Sequence, residues 1–264
     1  VERMAESPLM SSFLASFSFG GLDGALLGAG IVALVLGILY LLLLVALVSL
    51  VVIFLCAGYL VHECGDEQAE GSIFRVPPRA LWGIGAVAFC VAIGEGSMGD
   101  WSGVYLAGEI GTTAAFAALG FAAFSLTMTF GRLAGDWLAT RFNAVSVVRF
   151  GGLLASLGLM TAVFTNNQYI VLLGFAAVGA GVANGIPLAF SAAGKFPGMS
   201  ASAGIAGVAT IGYAGFLAGP PLIGLIAEAT SLRVALFLAA LLVGTLLFTA
   251  QAIQPRPQSV PARE

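Results

Sequence analysis

The chain has 264 residues, of which 59% are hydrophobic and 9% charged, with a formal net charge of -3 and a mean hydropathy of +1.04. Soluble domains devote roughly 25% of their residues to charge, so this composition excludes a water-soluble domain, and the negative balance argues against a nucleic-acid partner. Glycine is abundant, at 36 residues, as expected where membrane helices approach one another closely.

A helix that crosses the bilayer needs about 20 mainly apolar residues. Eight stretches meet that demand: Leu9 to Ala33, Gly37 to Val61, Ala80 to Leu106, Thr112 to Phe130, Ala144 to Thr165, Tyr169 to Phe190, Ala203 to Ala227 and Leu232 to Ala252. The first two are separated only around Gly37, but residues 9–61 are too long for a single crossing. The polar stretch His62 to Arg79, with four carboxylates and Pro77-Pro78, reads as a solvated linker. Later breaks fall at Gly108 to Gly111, Gly131 to Asn143, Asn166 to Gln168, Gly194 to Ser202 and Glu228 to Ser231, where Ser231 has the chemistry of a helix N-cap. The expected organisation is a pair of spans in 1–62, a linker in 63–79, six spans in 80–253 and a disordered tail in 254–264. No cleavable signal peptide is expected, because Glu2, Arg3 and Glu6 lead into a span far longer than a signal's apolar region.

Basic residues concentrate on the cytoplasmic side of short loops. With the N-terminus inside, Arg3, Arg75, Arg79, Arg132, Arg141, Arg149, Lys195, Arg256 and Arg263 all fall on the cytoplasmic side, and only Arg233 falls outside. That distribution supports an even number of spans with both termini inside; the expected location is the plasma membrane.

Ionisable groups at bilayer depth cost about 2.5 to 3.5 kcal/mol on insertion scales and usually face a cavity or a partner. Asp23 lies 14 residues after Leu9 and Glu95 lies 14 after Leu81, which puts both near the midplane. Each is a candidate for solute or proton binding, or a protonated structural carboxyl. Asp100 and Trp101 sit nearer the outer end in a segment with Gly94, Gly96, Gly99 and Gly103. They suit either a bending outer gate or an interfacial anchor. Asn184, before Gly185 and Pro187, can bind a polar solute or satisfy the carbonyl that the proline leaves unpaired. Gly20, Gly24 and Gly28 form a smooth helix stripe for packing, and Gly215, Gly219 and Pro220 read as close packing followed by a kink.

The link Gly131 to Asn143 carries Arg132, Asp136 and Arg141, three charges that can pair across a tight turn or serve topology alone. The order Gly131-Arg132-Leu133-x-Gly135-Asp136-x-Leu138-x-x-Arg141-Phe142 resembles the signature loop of the major facilitator superfamily between its eighth and ninth helices. Gly94 to Ser102, Gly212-Tyr213-x-Gly215-Phe216-Leu217-x-Gly219-Pro220-Pro221 and Ala227 to Arg233 extend the resemblance towards a bacterial branch near the fucose-type sugar permeases. One departure is Asn143, where a glycine usually closes the loop. Another is Asp23, where relatives mostly carry a small or apolar residue.

The resemblance implies an all-α, polytopic fold in which the eight spans correspond to family helices five to twelve. It implies a complete C-terminal six-helix bundle, two helices of the N-terminal one, and a requirement for four further N-terminal helices. It also places Asp23 and Glu95 on helices bordering a central cavity, makes the charged hairpin a latch with Asp136 near Ser11 and Ser12, and brings Ala117, Gly120 and Ala123 near the first span. The expected function is secondary transport of a small polar solute, sugar-like or a related metabolite, with protons as a coupling partner. A non-transporting membrane fragment or assembly partner, and efflux of drugs or metabolites, are the alternatives.

An enzyme is not expected. His62, the single histidine, lies in a loop, so neither a Ser-His pair nor a His-containing metal site can form within the membrane. Glu95 and Asp100 fall about 140° apart around a helix, on different faces. Cys56, Cys64 and Cys90 have no metal or disulfide spacing and read as free thiols, and no cofactor is implied.

Overall fold

The computed structural model describes Ile38–Ala57 and residues 77–254. The first predicted span, with Asp23, Gly20, Gly24, Gly28, Ser11 and Ser12, lies outside the described residues, as do most of the linker and the tail after Gln254. The described residues fall into two compact units, one with Ile38–Ala57 and the other with residues 77–254. Helix α1 (Ile38–Ala57) belongs to one of them. Its described side chains are all exposed and, apart from Ala46 and Ser49, large and apolar.

The other unit is a bundle of six spans. A 3-10 turn (Arg79–Leu81) leads into α2 (Trp82–Gly108), followed by α3 (Ala114–Leu133) and the short α4 (Gly135–Phe142). Next come α5 (Ala144–Phe164), α6 (Gln168–Val182), α7 (Gly185–Gly194) and α8 (Ala201–Ala229). The bundle closes with α9 (Leu232–Gly244), α10 (Leu246–Thr249) and a final 3-10 turn (Ala250–Ile253). Each of the last six predicted spans coincides with a crossing helix or pair of helices to within a few residues. Side-chain caps explain several boundaries: Thr113 accepts from the Phe116 N–H, Asn167 from those of Tyr169 and Ile170, and Ser231 from that of Val234.

Helix α2 is the axis of the unit. In its most apolar window 67% of residues are buried, against 22% for α8. Large apolar side chains that point outward, such as Leu217, Phe164, Phe248 and Leu173, are at least 70% exposed. Such a surface is stable only against hydrocarbon.

Because lipid tails are as apolar as leucine, contact between helices must come from close packing and interhelical hydrogen bonds. The α5–α6 contact has both close packing and a repeat: Gly151 lies against the Gly181 carbonyl, and Gly158 against the Gly174 carbonyl. Each glycine of these two pairs faces its partner's backbone so closely that a Cβ on either would overlap it. Gly215 plays the same part between α8 and α2, where a Cβ would stand 2.8 Å from the Phe89 carbonyl oxygen. Thr127 Oγ1 donates to the Ala176 carbonyl at 2.7 Å, tying α3 to α6, and Tyr105 donates from its hydroxyl to the Ala162 carbonyl at 3.0 Å, tying α2 to α5.

Three expectations meet the structure here, and it corrects the last of them. The expected proximity of Ala117, Gly120 and Ala123 to the first span involves residues outside the described ones; within the bundle a Cβ on Gly120 would stand 2.7 Å from Leu106 Cδ1, and Ala117 is buried. The glycine-rich stretch around Asp100 neither unwinds nor breaks, because α2 runs through it as one helix whose packing outweighs the low glycine propensity. Arg132 is not a loop residue but the penultimate residue of α3, and it is 2% exposed.

Candidate functional site

Glu95 is the middle residue of the 27-residue α2, so it sits some 20 Å from either end. A carboxylate at that depth needs a partner, and Arg132 supplies one. Its Nη2 donates to Glu95 Oε1 at 3.1 Å and Oε2 at 3.2 Å.

The position of Arg132 follows from a proline. Pro187 lacks the N–H that would ordinarily bond the Ala183 carbonyl four residues earlier, and the crossing formed by α6 and α7 breaks there, at Ala183 and Asn184. Arg132 Nε donates to that same Ala183 carbonyl at 3.3 Å. Asn184 turns the other way: its Nδ2 donates to the Gly131 carbonyl at 3.0 Å, one of the last carbonyls of α3 without a helical donor. The kink is therefore met by Arg132, and Asn184 holds the end of α3. Asn184 Oδ1 is buried and makes no hydrogen bond among the described residues.

Glu95 and Arg132 line a cavity of about 420 Å³. Its other walls come from Ala88 of α2, Ile186 and Phe190 of α7, and Ala209, Gly212, Tyr213 and Phe216 of α8. One ion pair and one phenol thus face an apolar, partly aromatic surface. Pro220 and Pro221 also remove the donors for the Phe216 and Leu217 carbonyls while α8 continues as a single helix.

The other candidates lie elsewhere. Asp100 is exposed, and Trp101 packs its ring on Gly224 of α8, with its indole N–H buried and unbonded among the described residues. Gly219 makes an ordinary contact with Ile93. Asp136 occupies the first turn of α4 and Arg141 its last, each the sign that the helix dipole favours. Arg141 is exposed and Gly135 buried. Asn143 has φ 61° and ψ 153°, a conformation that is almost exclusively glycine's, which accounts for the glycine usual at this point of the loop. In exchange its side chain caps α5, accepting from the Ser146 N–H at 2.9 Å. Among the described residues no group of three or more His, Cys, Asp or Glu side chains could hold a metal.

Comparison with known proteins gives this architecture a family. The Major Facilitator Superfamily model matches residues 84–264. The chain belongs to the major facilitator superfamily. An uncharacterised MFS-type transporter of Yersinia pestis is 38% identical over 256 residues, which cover 96% of this chain and 66% of the relative. An uncharacterised transporter, y4wD, of Sinorhizobium fredii is 35% identical over 91% of this chain and 64% of its own length. Membrane protein MosC of Rhizobium meliloti is 37% identical over 66% of this chain and 43% of its own length. This superfamily member thus spans about two thirds or less of the curated relatives it matches. The crystal structure of FucP, a major facilitator transporter in the outward conformation, superposes with a TM-score of 0.56 at 21% identity, covering 67% of this chain and 42% of FucP. That likeness shows the fold, and the protein is an integral membrane protein of all-α, polytopic architecture.

Sequence reasoning found Glu95 but missed its partner. The hydropathy of the fourth span ends at Phe130, which made Arg132 look like a loop charge. The signal available was the demand of a midplane carboxylate for a cation on a neighbouring span. Tyr213 and Phe216 appeared only inside a family motif, because nothing in their local sequence says which way they face.

Proposed function

We propose that the chain is part of a secondary transporter that moves a small polar solute, sugar-like or a related metabolite, coupled to protons. The observation that carries this reading is the Glu95–Arg132 ion pair on the wall of an otherwise apolar cavity at mid-helix depth. A proton on Glu95 weakens its hold on Arg132 Nη2, freeing a donor for a hydroxyl or carboxylate of the solute. Phe190, Tyr213 and Phe216 offer ring faces to the solute's carbon skeleton. Asn184 Oδ1, buried and without a hydrogen bond among the described residues, would be a further acceptor. Transport then follows from rocking of two bundles about this site, with residues 1–62 and 80–253 in different bundles, 63–79 as their link, both termini cytoplasmic, and the Asp136 hairpin as a latch. Asp23 would serve on the opposing bundle, and Asp100 with Trp101 at the outer rim.

The apolar lining also favours a second reading, efflux of an amphipathic metabolite or drug. A thermal-shift screen of the full-length protein against sugars, other polar metabolites and cationic amphiphiles separates the two, since a ligand of the folded state raises its apparent stability. The proposal expects a polar hit whose shift disappears in Glu95→Gln and Arg132→Gln. Shifts from amphiphiles alone would favour the second reading, and a polar hit indifferent to both substitutions would remove the site.

A further inference from the structure

A second cavity, of about 670 Å³, opens at the hairpin end of the bundle, between α4, α5, α7 and the C-terminal turn. Its lining includes Thr140, Ser146, Arg149, Ser191, Lys195 and Gln251. A third, of about 480 Å³, lies beside it and is lined by Arg149, Leu247, Phe248 and Gln251. Arg149 and Gln251 line both, so the polar cavity and the shallower groove meet at one guanidinium.

Arg149 is held but not neutralised. Its Nε donates to the Leu247 carbonyl at 2.9 Å, and among the described residues its Nη nitrogens make no hydrogen bond or ion pair. Lys195 stands across the larger cavity with Nζ 3.3 Å from Ser191 Oγ. No Asp or Glu is among the described residues lining either space. A fixed guanidinium whose amino groups are uncommitted among the described residues suits an anion, and a planar fork of donors matches phosphate oxygens best. The groove leads outward past Phe248, which is 76% exposed, and Phe150, next to Arg149, is 66% exposed. These are surfaces for acyl chains, not for water.

We propose that this site holds the phosphate of an anionic phospholipid, with Arg149 as the bidentate donor, Lys195 as the second cation and the acyl chains lying along Phe248 and Phe150. Basic pockets between membrane helices are suited to such headgroups. The site is separate from the Glu95 cavity and does not depend on what that cavity carries.

The test is the thermal stability of the purified full-length protein in detergent, titrated with phosphatidylglycerol, phosphatidylcholine or inorganic phosphate. Phosphatidylglycerol is expected to stabilise the wild type and Arg79→Gln, which removes an exposed charge outside the cavity. In Arg149→Gln and, separately, Lys195→Gln, the concentration giving half the shift should rise about tenfold or more. The lysine variant keeps the test decisive if Arg149→Gln does not fold. Wild-type titration curves in the variants would overturn the proposal. So would an equal response to phosphatidylcholine, which means bulk lipid, or an equal response to inorganic phosphate, which means a free-anion site.

Discussion

Arg233 and Arg132 each join several elements of the same bundle, one at its rim and one at its centre. Arg233, on α9, bonds Glu109 after α2 at 3.3 Å, the Val163 carbonyl of α5 at 3.1 Å and Asn166 Oδ1 at 2.5 Å, and stands 5.9 Å from the Tyr105 ring centre. Its side chain is 30% exposed and that of Glu109 28%. Water can replace any one of these contacts, so their worth is modest and falls with salt. Arg132 is 2% exposed and Glu95 15%, and no such substitute is at hand. Yet a buried ion pair is rarely more stable than an apolar pair of the same volume. The rim cluster therefore serves as fastening, whereas the central pair, on the cavity wall, is the one proposed to work in transport.

That contrast can be broken in order of expected effect. Arg132→Ala should destabilise by about 3 to 5 kcal/mol in thermal or denaturant unfolding, because it leaves Glu95 buried without its cation and the Ala183 carbonyl without a donor. Joint replacement, Glu95→Leu with Arg132→Leu, should recover most of that loss, giving a coupling energy of several kcal/mol in a double-mutant cycle, while transport stays abolished. If the double variant is as unstable as Arg132→Ala, the pair is a structural fastening after all. Arg233→Gln should cost about 1 kcal/mol, less at high salt, and leave solute binding intact. The smallest change belongs to the hairpin. Asn143→Gly relieves a backbone conformation that costs on the order of 1 to 3 kcal/mol and gives up a cap whose loss to glycine costs a few tenths, so unfolding should show a net gain of about 1 kcal/mol. A net loss would mean that the Asn143 cap outweighs the strain.

Much of the fold was legible because hydropathy and punctuation act locally. The spans from Ala80 onward, the Ser231 cap and the linker prolines all follow from neighbours in sequence. The site was legible only in half. Glu95 announces itself by depth, but Arg132 comes into view only when α3 is set beside α2 and beside the Ala183 carbonyl freed by Pro187. The glycine pairs Gly151–Gly181 and Gly158–Gly174 were missed for a related reason. Their seven-residue spacing is unremarkable within either span and becomes a contact only once the antiparallel register of α5 and α6 is known. Asn143 is a middle case: its departure from a usual glycine was visible in the sequence, but the positive φ that makes the departure costly was not.

The most direct test of the central claim is transport by the full-length protein reconstituted in liposomes, with a solute identified by thermal shift, comparing wild type with Glu95→Gln. If Glu95 carries the proposed coupling proton, a carboxamide in its place cannot take it up and release it. Uphill uptake driven by a pH gradient should therefore be lost, while exchange of labelled for unlabelled solute persists. Unchanged pH-driven uptake by Glu95→Gln would contradict the account.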